Sequence, residues 1–144
     1  MSWEKLIKEN KPLVLTGTIN AYSALLAERA GIKAIYLSGG GVANASYGLP
    51  DLAMTSREDV LEDVRRIRSA SELPLLVDID TGWGSALAIS RSIKEMISAG
   101  ASGVHIEDQV SEKRCGHRPN KEIVSSEEMV DRIKAAKDAQ TDDN

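Results

Sequence analysis

Four times in succession along this chain, a short apolar run is followed by a turn and then by an amphipathic stretch headed by a helix-capping residue. That alternation restricts the fold more than any other feature. A helical crossover returns each strand in the direction of the last, so the units build a parallel sheet. The first unit is the run Leu13-Val14-Leu15-Thr16-Gly17-Thr18, predicted as a strand, with Asn20 placed to cap a helix over residues 21–30 and Gly31 to stop it. The second is a strand over residues 34–38, three glycines, a long loop, and a helix over residues 56–69 with Val60, Leu61, Val64 and Ile67 on one face. A third strand over residues 74–80 precedes a helix over residues 85–99 that stops at Gly100. A fourth over residues 103–108 precedes a helix ending near residue 139, whose capping box is assigned to Ser125 and Glu128. Ahead of all four, residues 2–10 read as an amphipathic helix with Trp3, Leu6 and Ile7 on one face, a lid or plug.

Two architectures satisfy this order: an open doubly wound sheet, or part of a (β/α)8 barrel of the TIM type. At 144 residues, 42% of them hydrophobic and 28% charged, the chain suits one globular domain. A barrel needs eight units in about 250 residues, so the chain would hold half of one, with the rest expected after Asn144. The first and fourth strands would then be open edges, an aggregation hazard unless covered. The net charge of -4 argues against a nucleic-acid partner, and no apolar run is long enough for a membrane span. The start of the chain lacks a signal-peptide layout, and a single cysteine agrees with a reducing compartment, so the expected location is cytoplasmic.

In parallel α/β proteins ligands gather at the carboxyl ends of the strands. The second strand ends in Ser38-Gly39-Gly40-Gly41, whose N–H groups can surround a carboxylate or phosphate; the plainer alternative is a flexible turn. The third ends in Asp78-Ile79-Asp80. Period two puts both carboxylates on one face, where they repel unless a cation or hydrogen-bond donors sit between them, and a divalent metal is the economical answer. Oxygen ligands favour Mg2+, with Mn2+ possible, and Glu107 joins the set from the fourth strand, where it shares a face with His105; Asp108 lies on the other. The alternative is that these acids pair with Arg or Lys. Last comes the run Lys113-Arg114-Cys115-Gly116-His117-Arg118-Pro119-Asn120-Lys121, a surface loop with the only cysteine, a histidine and four cations that favour the thiolate. A metal chelating a 2-hydroxy- or 2-oxo-carboxylate beside a proton-exchanging thiol suits carbon–carbon cleavage of a hydroxy-polycarboxylate.

These residues, with Tyr36-Leu37 before the glycines and Gly48-Leu49-Pro50-Asp51 after them, resemble the isocitrate lyase and phosphoenolpyruvate mutase superfamily along the whole chain. Arg118-Pro119-Asn120-Lys121 looks like its methylisocitrate-cleaving branch. The resemblance implies residues 1–144 as the amino-terminal half of a (β/α)8 barrel, a tricarboxylate substrate, and Mg2+-dependent retro-aldol cleavage of 2-methylisocitrate to pyruvate and succinate in propionate catabolism. It also implies a homotetramer. By that likeness Ser38, Gly39 and Gly40 bind the pyruvate-forming portion, Asp78 and Asp80 the metal, and Cys115 and Gly116 the succinate-forming end. Cys115, beside His117, protonates the carbanion, while Tyr36 and Asp51 lie near the hydroxyl that loses its proton. The superfamily's further substrate residues, an arginine, a glutamate and a polar cluster, fall on strands beyond this sequence, so the 144-residue chain alone is expected to be inactive. Isocitrate, 2,3-dimethylmalate and oxaloacetate are rival substrates. A rival of another class is a non-enzymatic open-sheet module with Asp78 or Asp80 as phospho-acceptor, and a third is a fragment that binds through its open edges.

Overall fold

The computed structural model describes residues 3–141. Four strands form one parallel sheet in the order β1-β2-β3-β4: β1 (Leu15–Gly17), β2 (Ala34–Leu37), β3 (Leu75–Asp78) and β4 (Gly103–His105). Between and around them lie α1 (Trp3–Glu9), α2 (Ala21–Arg29), a single turn α3 (Gly39–Gly41), α4 (Arg57–Arg68), α5 (Ala86–Ala99) and α6 (Ser126–Asp138). A π-helix, Val42–Ser46, continues directly from α3.

Register fixes the two faces of the sheet. Tyr36 pairs with Leu76 and Leu37 with Val77, so Ile35, Leu37, Leu75 and Val77 project together. All four are buried, and they form one core with Val60, Leu61, Val64 and Ile67 of α4 and Ile89, Ile93 and Met96 of α5. Tyr36, Leu76 and Asp78 share the opposite face by the same alternation, with His105 level with Asp78. That face is the inner wall of a barrel-type arc. β1 and β4 each have one strand neighbour, leaving the two free edges the order implies.

The strands are shorter than expected at 13–18, 34–38, 74–80 and 103–108. The third ends at Asp78 because Asp80 adopts a left-handed backbone, φ 48°, and Gly82 closes a turn onto Ile79 O at 2.8 Å. Helix ends follow their caps. Asn20 and Ser56 each make a reciprocal capping box, and Gly100 stops α5 with φ 95°. Ser125 caps α6 by accepting from Glu128 N, without the return bond of a box.

In α1, Leu6 is buried but Ile7 is 52% exposed, so the expected three-residue face reduces to Trp3 and Leu6. Ser2 lies outside the described residues. The Trp3 indole donates to Ser102 O at 2.6 Å, just before β4. This is the amino end of the sheet, so the helix is a plug at the floor and not a lid over the carboxyl ends. Among the described residues no helix is long and apolar enough to cross a membrane.

Candidate active site

Asp78, the last residue of β3, ties two strand ends together. Its Oδ2 accepts from Gly39 N at 3.2 Å and its Oδ1 from Asp80 N at 3.0 Å. The left-handed residue 80, not strand alternation, brings the second carboxylate to the same spot: a Cβ on Gly39 would meet Asp80 Oδ1 at 2.9 Å and Asp78 Oδ2 at 3.4 Å. On Gly40 it would meet Asp51 Oδ2 at 3.0 Å. The glycines therefore let the protein's own acids approach. The turn is not a loose nest, since Gly39 N is taken by Asp78 and Gly41 N by Ser38 Oγ, which caps α3 at 3.3 Å.

At the centre stands Lys113, 3% exposed, with Nζ 2.5 Å from Asp80 Oδ1 and 2.7 Å from Asp51 Oδ1. Burial works to lower its pKa, but the bonds and charges of Asp51 and Asp80 outweigh that and hold it above the ordinary lysine value. Burial pushes the Asp80 carboxyl up to about 6; Lys113 pulls the other way, and the charges of Asp78 and Asp51 add to the rise. The expected loop of four free cations is thus corrected. Lys113 turns inward as counter-ion, and Lys121 Nζ donates to Gly116 O at 2.6 Å.

Glu107 does not stand with Asp78 and Asp80 as a group of three. Among the described residues no group of three or more His, Cys, Asp or Glu is placed to hold an ion. The reason lies beyond β4, which ends at His105. There Glu107 Oε2 is engaged by Gln109 Nε2 at 2.9 Å, while its Oε1 faces Gly116. Its pKa is raised by burial, against Lys113 and with Asp78 adding. Two hard-oxygen donors nevertheless converge at Gly39, and buried Asp80 Oδ1 makes no hydrogen bond of good geometry, only the contact with Lys113. That pair fits a cation that keeps most of its own waters.

Tyr36 reaches the same face, its hydroxyl 3.3 Å from His105 Nδ1. Burial raises its pKa, as do Asp78 and Glu107, so it stays a phenol at neutral pH. The half-buried Cys115 joins through its backbone, donating N–H to Asp51 O at 3.1 Å, with Sγ 3.8 Å from His117 Nδ1. A cavity of about 390 Å³ lies between His105, Glu107, Gly116 and Lys121.

Sequence reasoning missed the supports of this loop. Gln109, 3% exposed, donates to Arg114 O at 2.9 Å, and Arg132 of α6 donates to Glu107 O and Gln109 O. Lys113 carried a usable signal, because acids crowded at neighbouring strand ends demand a cation and it opens the loop after the last strand. Gln109 and Arg132 carried none.

Comparison with known proteins gives consistent matches. The model of the phosphoenolpyruvate phosphomutase family matches residues 3–144. The 2-methylisocitrate lyase of Shewanella oneidensis is 65% identical over 144 residues, 100% of this chain and 49% of that protein. The 2-methylisocitrate lyase of Escherichia coli is 66% identical over 138 residues, 95% and 46% of the two. Among solved structures, oxaloacetate acetylhydrolase with the inhibitor 3,3-difluorooxalacetate superposes with TM-score 0.84 at 35% identity, covering 88% of this chain and 43% of that one. Phosphonopyruvate hydrolase in complex with oxalate and Mg2+ gives 0.79 at 32%, covering 99% and 50%. The chain spans about half the length of the curated relatives it matches.

Proposed function

Because the chain belongs to the phosphoenolpyruvate phosphomutase family, in the superfamily that also holds the isocitrate lyases, we propose that it supplies half the barrel of a 2-methylisocitrate lyase. The reaction is retro-aldol cleavage of 2-methylisocitrate to pyruvate and succinate. The observation that carries this reading is the convergence of Gly39, Gly40, Asp51, Asp78, Asp80 and Lys113 at one rim, with the Cys115 backbone bonded to it.

Asp78 and Asp80 would hold Mg2+, which when bound supplies positive charge to the developing oxyanion of the substrate. The α3 turn, capped by Ser38, orients the pyruvate-forming portion against those two carboxylates. The substrate hydroxyl gives up its proton to a base at this rim. Asp51 and Tyr36 both border it, and the raised pKa of Tyr36 favours Asp51, whose carboxylate Lys113 holds in place. As the carbon–carbon bond breaks, Cys115 delivers its proton to the carbon of the departing succinate, and His117 Nδ1 beside Sγ restores it. Gly116 and Lys121 border the cavity that accepts the succinate carboxylates.

The test is direct. The protein carrying these residues in a complete barrel should release pyruvate from 2-methylisocitrate with Mg2+ and lose that activity with EDTA. Isocitrate, 2,3-dimethylmalate and oxaloacetate run in parallel decide substrate. Release from none of the four would sink the lyase reading, and faster turnover of oxaloacetate would move it toward the acetylhydrolase.

A further inference from the structure

Asp63 is a buried carboxylate that the chemistry above does not use. It sits on α4, 2% exposed, among the apolar residues Val60, Leu61, Val64 and Ile67. Leaving such a group unpaired is costly, and it has two partners. Ser46 Oγ donates to its Oδ2 at 2.5 Å, and Arg66 Nη1 donates to its Oδ1 at 3.2 Å. Ser46 is the last residue of the π-helix, and one turn back on α4 Asp59 lies beside Tyr47, the next residue, raising its hydroxyl pKa. α4 therefore grips the end of the π-helix at two adjacent residues.

The gripped segment is the one that delivers half the site. Residues 38–51 begin with Ser38, Gly39 and Gly40 and end with Asp51, with the π-helix between them. A π-turn is intrinsically less stable than an α-turn and persists where its surroundings hold it. Its start is held by the turn before it, where Gly41 N bonds Ser38 Oγ and Asn44 Nδ2 donates to Gly40 O at 2.7 Å, and its end is left to α4. Within it, Gly48 N bonds Asn44 O and Leu49 N bonds Ala43 O, so a slip at Ser46 would travel to Asp51. From Asp51 it would reach Lys113 and the Cys115 N–H.

We propose that Asp63 is a positioning residue: through Ser46 it locks the π-helix, and so sets where the glycine turn and Asp51 meet Lys113 and the cysteine loop. The inference stands apart from the identity of the reaction, and its test uses no turnover. Two rates are measured on the protein carrying these residues in a complete barrel: amide hydrogen exchange by mass spectrometry, and alkylation of Cys115 by iodoacetamide, followed on the peptide that contains it. Ser46→Ala and Asp63→Ala should each speed exchange of residues 42–51 by about tenfold, the loss of one part-buried hydrogen bond to a carboxylate, with β3 unchanged. Cys115 should alkylate about threefold faster, as its Asp51 anchor loosens. Asp63→Asn, which keeps an oxygen for Ser46, should stay near the parent. Parental rates in Ser46→Ala would overturn the proposal, and so would exchange that rises equally in β3, the sign of a general loss of core. Ser46→Ala leaves the core untouched and decides the matter if Asp63→Ala does not fold.

Discussion

The two connections that bring the site together are built on different principles. The one after β2 approaches by backbone: three glycines, a capped turn and a π-helix let main chain lie against carboxylates at distances that exclude a Cβ. The one after β4 is suspended by side chains, from Gln109, Arg132 and Lys121 to loop carbonyls. Its glycine has room, since a Cβ on Gly116 would find its nearest neighbour, Glu107 Oε1, at 3.9 Å. The first connection is a fixed wall and the second an adjustable one. They are joined by Lys113, which belongs to the second and pairs with an acid of the first.

That joint is where the contrast breaks most visibly. Lys113→Met should cost about 3 kcal/mol or more in a denaturant titration, because partly buried Asp51 and buried Asp80 are left adjacent with no cation between them. A cost below about 1 kcal/mol would mean the acids relax into solvent. Next is Cys115→Ser in a complete barrel. Turnover should fall by about two orders of magnitude with KM little changed, and stability should hold within about 0.5 kcal/mol for this half-exposed side chain. Unchanged turnover would remove the thiol from the chemistry.

Asp80 gives a pH signature. Its folded pKa lies near 6, above the ordinary 3.8, so the native state binds the proton more tightly than the unfolded chain does. Its contribution is fully present below about pH 4 and is lost as pH rises through 6, a change of about 3 kcal/mol. Without divalent cations, Asp80→Asn should flatten that part of the stability profile. Millimolar Mg2+ should move the parental midpoint below 6, and no movement would count against Asp80 as a ligand. The smallest effects compare the walls directly. Gly39→Ala should destabilise by about 1–2 kcal/mol, and Gly116→Ala by less than about 0.5. Equal costs would erase the distinction.

Local signals account for what was readable beforehand. Asn20, Ser56 and Ser125 mark three helix starts because capping is settled within three residues, and Gly100 marks a stop; Ser85 heads α5 without a side-chain cap bond. The gathering of Ser38, Asp51, Asp78 and Cys115 follows from chain direction, since parallel strands end on one side. What failed depends on distant neighbours or special backbone. Strand alternation reached the right side for Asp80 by the wrong route, because alternation stops where φ turns positive. Lys113 meets Asp51 across 62 residues, a pairing that spacing does not encode. The π-helix falls where the sequence predicts a long loop, since no local signal in Val42–Ser46 marks a helix; Ser38 in the turn before it and Asp63 of α4 hold it from outside.

The indole of Trp3 also bears on the order of events during synthesis. Its partner, Ser102, lies 99 positions later, and Gly103 leaves the space it needs, a Cβ there falling 3.0 Å from Nε1. Helix α1 therefore cannot make this contact until the residues up to Ser102 have been synthesised. Contacts of such long span form late in folding, so the emission of Trp3 would mark the moment at which the fourth strand takes its place.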